Sequence, residues 1–201
     1  MSIIDKIINN GLIYIDDNFL PKDIFDNLFT KIKNNELYFE ATYQPKGYEY
    51  GNRFQAFPCY ESYYLHIIDE KINNFIKTKI ENLLNVETYD FRCAFRKVII
   101  DELKKSKIDT KYGLIHKDDD DNIAGIISFN QTVDGGTAFF NHMWDKKPDI
   151  SIGSKPNRFI LYNAQRPHST STDFTYDERV NMIIFAKVRE RSLQMEKKND
   201  R

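Results

Sequence analysis

The sequence predicts a mainly β (α+β) chain, a double-sheet jelly roll carrying flanking helices at its N-terminal side. Three observations carry this reading. From residue 89 onward, short alternating or apolar runs recur between turn signals. Before residue 85, two stretches instead place apolar residues at helical spacing. Aromatic residues make up 14% of the chain, with 12 Tyr and 15 Phe, which suits the half-buried surface of a pleated sheet.

Residues 12–20 read as a strand running into a turn, and Pro21 opens a helix with Ile24, Phe25, Leu28, Phe29 and Ile32 on one face. Residues 37–60, rich in Tyr, Gly and Pro, read as irregular strand and loop. A second helix is expected over 64–84, its buried stripe formed by Ile68, Ile72, Phe75, Ile76, Ile80, Leu83 and Leu84. Residues 89–100 alternate as a strand, and the charged stretch 101–111 reads as a surface loop. Short strands follow at 112–116, 123–130, 137–142, 158–163 and 179–188. Turn signals at Asp134-Gly135-Gly136, Lys147-Pro148 and Lys155-Pro156-Asn157 punctuate them. The expected organisation is one domain over 1–201: N-terminal strand and helices at 12–84, a jelly-roll core at 89–188 and a charged tail at 189–201.

The chain has 201 residues, enough for one sizeable core. With 29 basic and 30 acidic residues the net charge is −1, so no global field draws it to nucleic acid or to an acidic membrane. Cys59 and Cys93 have no metal-ligand spacing and make no disulfide scaffold. The N-terminus shows no secretory signal, and no apolar run approaches the ~20 residues that span a bilayer. A reducing cytoplasm is the expected compartment.

Four residues point to chemistry. His116 and Asp118 lie in the run HKD, and His168 follows Pro167 in RPHS. Arg179 opens the strand RVNMIIFAKV. On a strand, residues i and i+2 project from one face, so His116 and Asp118 can reach one ion, and His168 completes a set of two imidazoles and a carboxylate. That set leaves open positions on a metal, the facial-triad arrangement of non-heme Fe(II) oxygenases. A solvated histidine beside an acidic loop is the competing reading of His116. The remaining aspartates of the run, Asp119, Asp120 and Asp121, read as a solvated loop; Asp119 is the substitute ligand if the strand breaks early. The polar run Ser169–Thr172 argues against a buried core position for His168. His66 and His142 read as structural, with His142 the nearer of the two to lining a pocket. Alternation puts Arg179, Asn181, Ile183 and Phe185 on one face. An Arg facing the interior of a sandwich needs an anionic partner, and a bound dicarboxylate is one; a surface pair with Asp177 or Glu178 is the alternative.

At these residues the chain resembles the Fe(II)- and 2-oxoglutarate-dependent dioxygenase superfamily, most closely its prolyl-4-hydroxylase-like branch. YIDDNFLPKDIFDNLFTKI (14–32) is similar to that branch's first strand and helix. Asp134-Gly135-Gly136-Thr137-Ala138-Phe139 is similar to its GG-x-x-F strand, and Arg158–Tyr162 to the strand before the distal histidine. The segment RPHST…ERVNMIIF is similar to its closing H…R motif. The resemblance spans most of 12–188 and leaves 37–60 and 101–111 unmatched. It implies a double-stranded β-helix in which His116, Asp118 and His168 hold Fe(II) and Arg179 grips the distal carboxylate of 2-oxoglutarate. It also implies Tyr112, Asn163 and Asn181 as further cofactor contacts. The expected reaction consumes O2, hydroxylates a peptide, amino acid or other small molecule, and yields succinate and CO2. The acidic run after the H-x-D motif departs from the family pattern at the mouth of the site. Two other functions stay open. One is oxidative demethylation of nucleic acid, for which Arg53, Arg92 and Arg96 lie among aromatics suited to stacking. The other is a cupin-like metal-binding domain without catalysis, against which the joint presence of the triad and Arg179 counts. The Tyr-rich stretch 43–64 reads as a substrate lid or as aromatic packing over the helices.

Overall fold

The computed structural model describes residues 1–41, 59–105, 115–118, 121–130, 135–171 and 177–191. The N-terminal part runs through α1 (Ile3–Asn10), β1 (Tyr14–Asp16), α2 (Lys22–Lys33) and β2 (Phe39–Ala41). The next part holds β3 (Tyr60–Tyr64), α3 (Leu65–Ile68), α4 (Glu70–Leu84), β4 (Val86–Ile99) and α5 (Ile100–Lys105). Beyond these lie β5 (Ile123–Ser128), β6 (Gly136–Phe139), β7 (Ile150–Gly153), β8 (Phe159–Asn163), β9 (His168–Ser171) and β10 (Glu178–Glu190). Seven strands form a sheet in the order β1-β8-β5-β10-β4-β3-β2, and three form a second in the order β7-β6-β9. All recorded strand pairs are antiparallel. This is the mainly β, two-sheet architecture the sequence predicts.

The spine is the β4–β10 ladder, which runs from Ile99 opposite Glu178 to Val86 opposite Glu190 with one irregularity at Lys187/Val188. Val180, Met182, Ile184 and Ala186 of β10 join the core beneath the helices, with Leu28, Ile72, Ile76 and Ile80. Residues of the opposite parity face the second sheet. There Ala124, Phe139, Ile160, Tyr162 and Ala164 form a separate apolar cluster against which Ile126 and Phe185 pack. Strand alternation thus divides the molecule into a helix-covered side and an inter-sheet side.

Several elements depart from expectation for identifiable reasons. The chain starts with α1, whose Ser2 and Asp5 make a reciprocal capping box and whose end is closed by Gly11 at φ 67. The helix expected over 64–84 breaks at Asp69. That residue is extended (φ −157, ψ 93), and its carboxylate accepts from the Ile72 amide at 3.1 Å to cap α4. Part of the expected loop 101–111 is helical as α5, and β3 runs from the end of the irregular stretch to Tyr64, where the helix was expected to start. The strand β7 has no counterpart in the sequence reading. Residues 106–114, including Tyr112, lie outside the described residues, as do 42–58, with most of the Tyr-rich stretch, 119–120, 131–134, 172–176 and 192–201. No disulfide joins Cys59 and Cys93. Among the described residues no helix is long and apolar enough to cross a membrane.

The N-terminal segment is tied to the start of β8. Asp17 accepts from Arg158 Nη2 (3.0 Å) and Lys155 Nζ (2.8 Å), and the Asn157 carboxamide brackets Leu20, accepting its N–H (2.9 Å) and donating to its carbonyl (2.8 Å). Asn157 adopts φ 60, the left-handed turn conformation that Asn tolerates. The Lys155-Pro156-Asn157 turn signal is therefore a docking point for the chain's beginning.

Gly136 at the start of β6 has φ 140, and a Cβ there would meet the Ile152 carbonyl oxygen of β7 at 2.1 Å. Backbone on both counts refuses a side chain. Gly136→Ala is expected to cost about 3 kcal/mol or more, since it combines a forbidden φ with a backbone clash. Urea denaturation of the purified variant, compared with wild type, measures it.

Candidate metal centre

Two backbone hydrogen bonds bring the distant histidines together. His116 N–H donates to the His168 carbonyl and His168 N–H to the His116 carbonyl, both at 2.9 Å. Directly opposed residues in an antiparallel pair project from one face, so the two imidazoles become neighbours with ring centroids 4.4 Å apart. Asp118, two residues beyond His116, projects to the same place. Its carboxylate lies 3.7 Å from His116 Nε2 and 3.4 Å from His168 Nε2. One ligand atom from each of the three residues lies within 4.8 Å of the others, a group that could hold a metal ion.

His168 begins β9 and does not end β8, and it is buried at 4% exposure despite its polar neighbours. Its ring packs against Tyr162 (centroids 4.9 Å) and Phe139 (6.2 Å), which explains the burial. Nδ1 lies 2.8 Å from the Arg166 carbonyl, an acceptor only, so Nδ1 carries the hydrogen and the Nε2 lone pair faces Asp118. Burial holds the His168 pKa down to about 4, against the carbonyl hydrogen bond and helped by the Arg96 charge. The imidazole is therefore neutral at physiological pH.

Arg179 is buried, at 2% exposure. Nη1 donates to the Gly136 carbonyl at 2.7 Å. With the Asn181 carboxamide oriented to satisfy the network, its oxygen accepts from Nε at 2.8 Å and Nη2 at 3.1 Å. Gly136 of that turn signal and Arg179 thus meet, and Asn181 steadies the guanidinium. The parity expected for β10 holds: Arg179 and Asn181 face the inter-sheet side.

Asn163 does not. It shares parity with Phe159 and Leu161 of the helix-side core, and its carboxamide donates to the Ile8 carbonyl of α1 at 2.8 Å. Its neighbour Tyr162 is the residue of β8 that faces the centre. The Tyr162 pKa is pushed up by burial and by the Asp118 charge, opposed by Arg96 and Arg179, so the phenol stays a hydrogen-bond donor. Arg96, which the sequence offers only as a cation for stacking, also belongs beside this site. It stands directly across from Asn181 on the inter-sheet face, and Nε donates to Glu61 at 2.8 Å. Arg92 and Arg96, the described residues of the nucleic-acid reading, are each paired to a carboxylate, Asp121 and Glu61 respectively. Arg53 lies outside the described residues. Asp121 was expected in solvent and is instead buried against Arg92. His66 and His142 are exposed, stacked on Tyr64 and Trp144, and neither joins the group.

No family model and no curated protein matches the chain. Solved structures do. A Pseudomonas putida prolyl-4-hydroxylase superposes with TM-score 0.55 at 14% identity, over 94% of this chain and 98% of that one. A 2OG-Fe(II) oxygenase family oxidoreductase from Burkholderia pseudomallei gives TM-score 0.57 at 12% identity, covering 92% and 88%. The fold is that of the 2-oxoglutarate- and Fe(II)-dependent oxygenases. A third structure with this oxygenase fold is a Trichoplax adhaerens prolyl hydroxylase in complex with a hypoxia inducible factor oxygen degradation domain peptide fragment (TM-score 0.54, 11% identity, 92% and 87%). At such identities the oxygenase fold alone is established, and the chemistry rests on the residues above.

The depressed His168 pKa has a stability consequence whose sign follows from linkage. The unfolded chain binds a proton near pH 6.5 and the folded chain only near pH 4, so His168 contributes stability that is complete above about 6.5 and is lost as pH falls toward 4. Metal-free protein is expected to show a falling Tm across that window, and His168→Gln to show a flatter profile.

Proposed function

We propose that the protein is an Fe(II)- and 2-oxoglutarate-dependent oxygenase that hydroxylates a peptide, an amino acid or another small molecule. The observation that carries this reading is the meeting of His116, Asp118 and His168 in a sheet sandwich that also buries Arg179 on its inner face. A metal-storage site has no use for the second feature.

The donor set fits the metal. Two imidazoles and one carboxylate suit Fe(II) and leave positions for a chelating co-substrate. Iron and 2-oxoglutarate, when bound, would supply O2 activation, with 2-oxoglutarate oxidised to succinate and CO2 while a substrate C–H becomes C–OH. The chain's own part is to bind and orient. Arg179 would take the distal carboxylate of 2-oxoglutarate, its fork aimed by Asn181 and the Gly136 carbonyl. Tyr162 would donate its phenolic hydrogen within the same space. Phe139 and Tyr162 line the His168 side and limit water there. The acidic partners of Arg92 and Arg96 leave a locally neutral wall, which favours a peptide or small molecule over a polyanion. The peptide held by the Trichoplax prolyl hydroxylase supports a peptide as the first substrate class to try.

Anaerobic titration of Fe(II)-loaded protein with 2-oxoglutarate is expected to raise a weak visible charge-transfer band in wild type and none in His168→Ala. Arg179→Ala is expected to keep its iron and to weaken 2-oxoglutarate binding on the order of a hundredfold, the scale of removing one member of a buried charge pair. Bound iron without a band in wild type would remove the oxygenase reading and leave a binding domain.

A further inference from the structure

We propose that the turn between β8 and β9, residues 163–167, is the positioning element of the metal centre, and that Arg166, Gln165 and Asn163 tie the centre to the end of helix α1. The inference rests on the metal-centre reading above and names residues that would touch neither metal nor substrate.

Two of the three candidate ligands are held through this turn. Asp118 is gripped along its main chain: its N–H donates to the Ala164 carbonyl at 3.0 Å, and its carbonyl accepts from Gln165 Nε2 at 2.7 Å. His168 is gripped through its ring, by the Arg166 carbonyl on Nδ1. A shift of this one peptide segment would therefore move a carboxylate and an imidazole together. Pro167 stiffens it further, because the residue before a proline is restricted to extended backbone.

The turn's own shape is set locally. The Asn163 side-chain oxygen accepts from the Gln165 N–H at 2.8 Å, and the Asn163 carbonyl accepts from the Arg166 N–H at 2.9 Å. Its placement is set from outside, by α1. Asn163 Nδ2 donates to the Ile8 carbonyl and Arg166 Nη1 to the Gly11 carbonyl, both at 2.8 Å. The last carbonyls of a helix have no partner within it and carry its negative pole. Helix α1 has no basic residue in its last turn, so Arg166 brings in the cation that this end lacks. The same guanidinium pairs with Asp149 at 2.9 Å and lies over the Phe139 ring at 5.4 Å. One side chain thus joins α1, the chain after β6 and the carbonyl that sets the His168 tautomer.

The test uses full-length protein and Co(II) as the probe, read by its visible ligand-field spectrum and by titration. Arg166→Ala is expected to fold, by circular dichroism, yet to bind Co(II) 10–100-fold more weakly, about the loss usual for residues that orient metal ligands, with an altered spectrum. Arg166→Lys, which keeps the charge but not the fork, is expected to recover part of the affinity. Arg189→Ala, which breaks an exposed pair with Glu87, should match wild type. If Arg166→Ala does not fold, exposed Gln165→Ala carries the test, since it frees the Asp118 carbonyl and should still lower affinity about tenfold. Folded variants with wild-type affinity and spectrum overturn the proposal. Wild type that binds no Co(II) sinks the metal-centre reading and this proposal with it. Wild type that binds Co(II) but forms no 2-oxoglutarate complex with iron removes only the oxygenase reading.

Discussion

The two-residue alternation of β10 is the constraint on which the rest of the structure depends. One parity of this strand, Val180 to Ala186, closes the core under α2 and α4; the other, Arg179 to Phe185, furnishes the inter-sheet space. Because β4 pairs with β10 along nearly its whole length, the alternation is imposed on β4 as well, and Arg96 arrives beside Asn181 without choice. A slip of one residue would bury Arg179 among the helices and turn Val180 toward the His116–Asp118–His168 group. The length of the ladder makes that slip costly, so the apolar half of the strand holds the polar half in place.

The inter-sheet side is polar, and its cost is offset by mutual satisfaction. Arg179 is met by Asn181 and the Gly136 carbonyl, Arg96 by Glu61, and His168 by the Arg166 carbonyl. These bonds fix orientations as well as energies. Gly136 belongs to this set through its backbone alone: its unusual φ lets β6 approach β7 while its carbonyl turns to Arg179.

Much of this was legible in the chain. H-x-D spacing and the parity of Arg179 and Asn181 depend on local periodicity, which a sequence displays; the burial of His168 does not, since it comes from Tyr162 and Phe139 on other strands. Asn163 shows where local reading fails. In FILYN nearly every side chain is apolar, so the sequence does not reveal which parity faces inward, and the polar Asn drew attention from Tyr162. Arg96 and Asp121 escaped because their roles come from partners, Glu61 and Arg92, supplied by other strands. Short α1 is signalled only by its caps, Ser2 with Asp5 and Gly11, and its purpose appears only once the 163–167 turn is seen against it. The break at Asp69 was readable in principle, since an Asp inside an apolar stripe competes for the backbone as a cap.

The division of the large sheet into two sides also sorts the sulfur atoms of its two longest strands, β4 and β10. Cys93 and Met182 are both wholly enclosed on the helix-covered side, and burial pushes the Cys93 thiol far from ionisation. Neither β4 nor β10 sends a sulfur to the side that carries the His116–Asp118–His168 group; the one thiol near that side is Cys59, before β3, within reach of the Arg96 charge. Thiolates and thioethers are the groups a stray oxidant attacks first. With a redox-active ion at the triad, the backbone of the sheet would act as a screen, placing a layer of peptide between the ion and the softest atoms of the core.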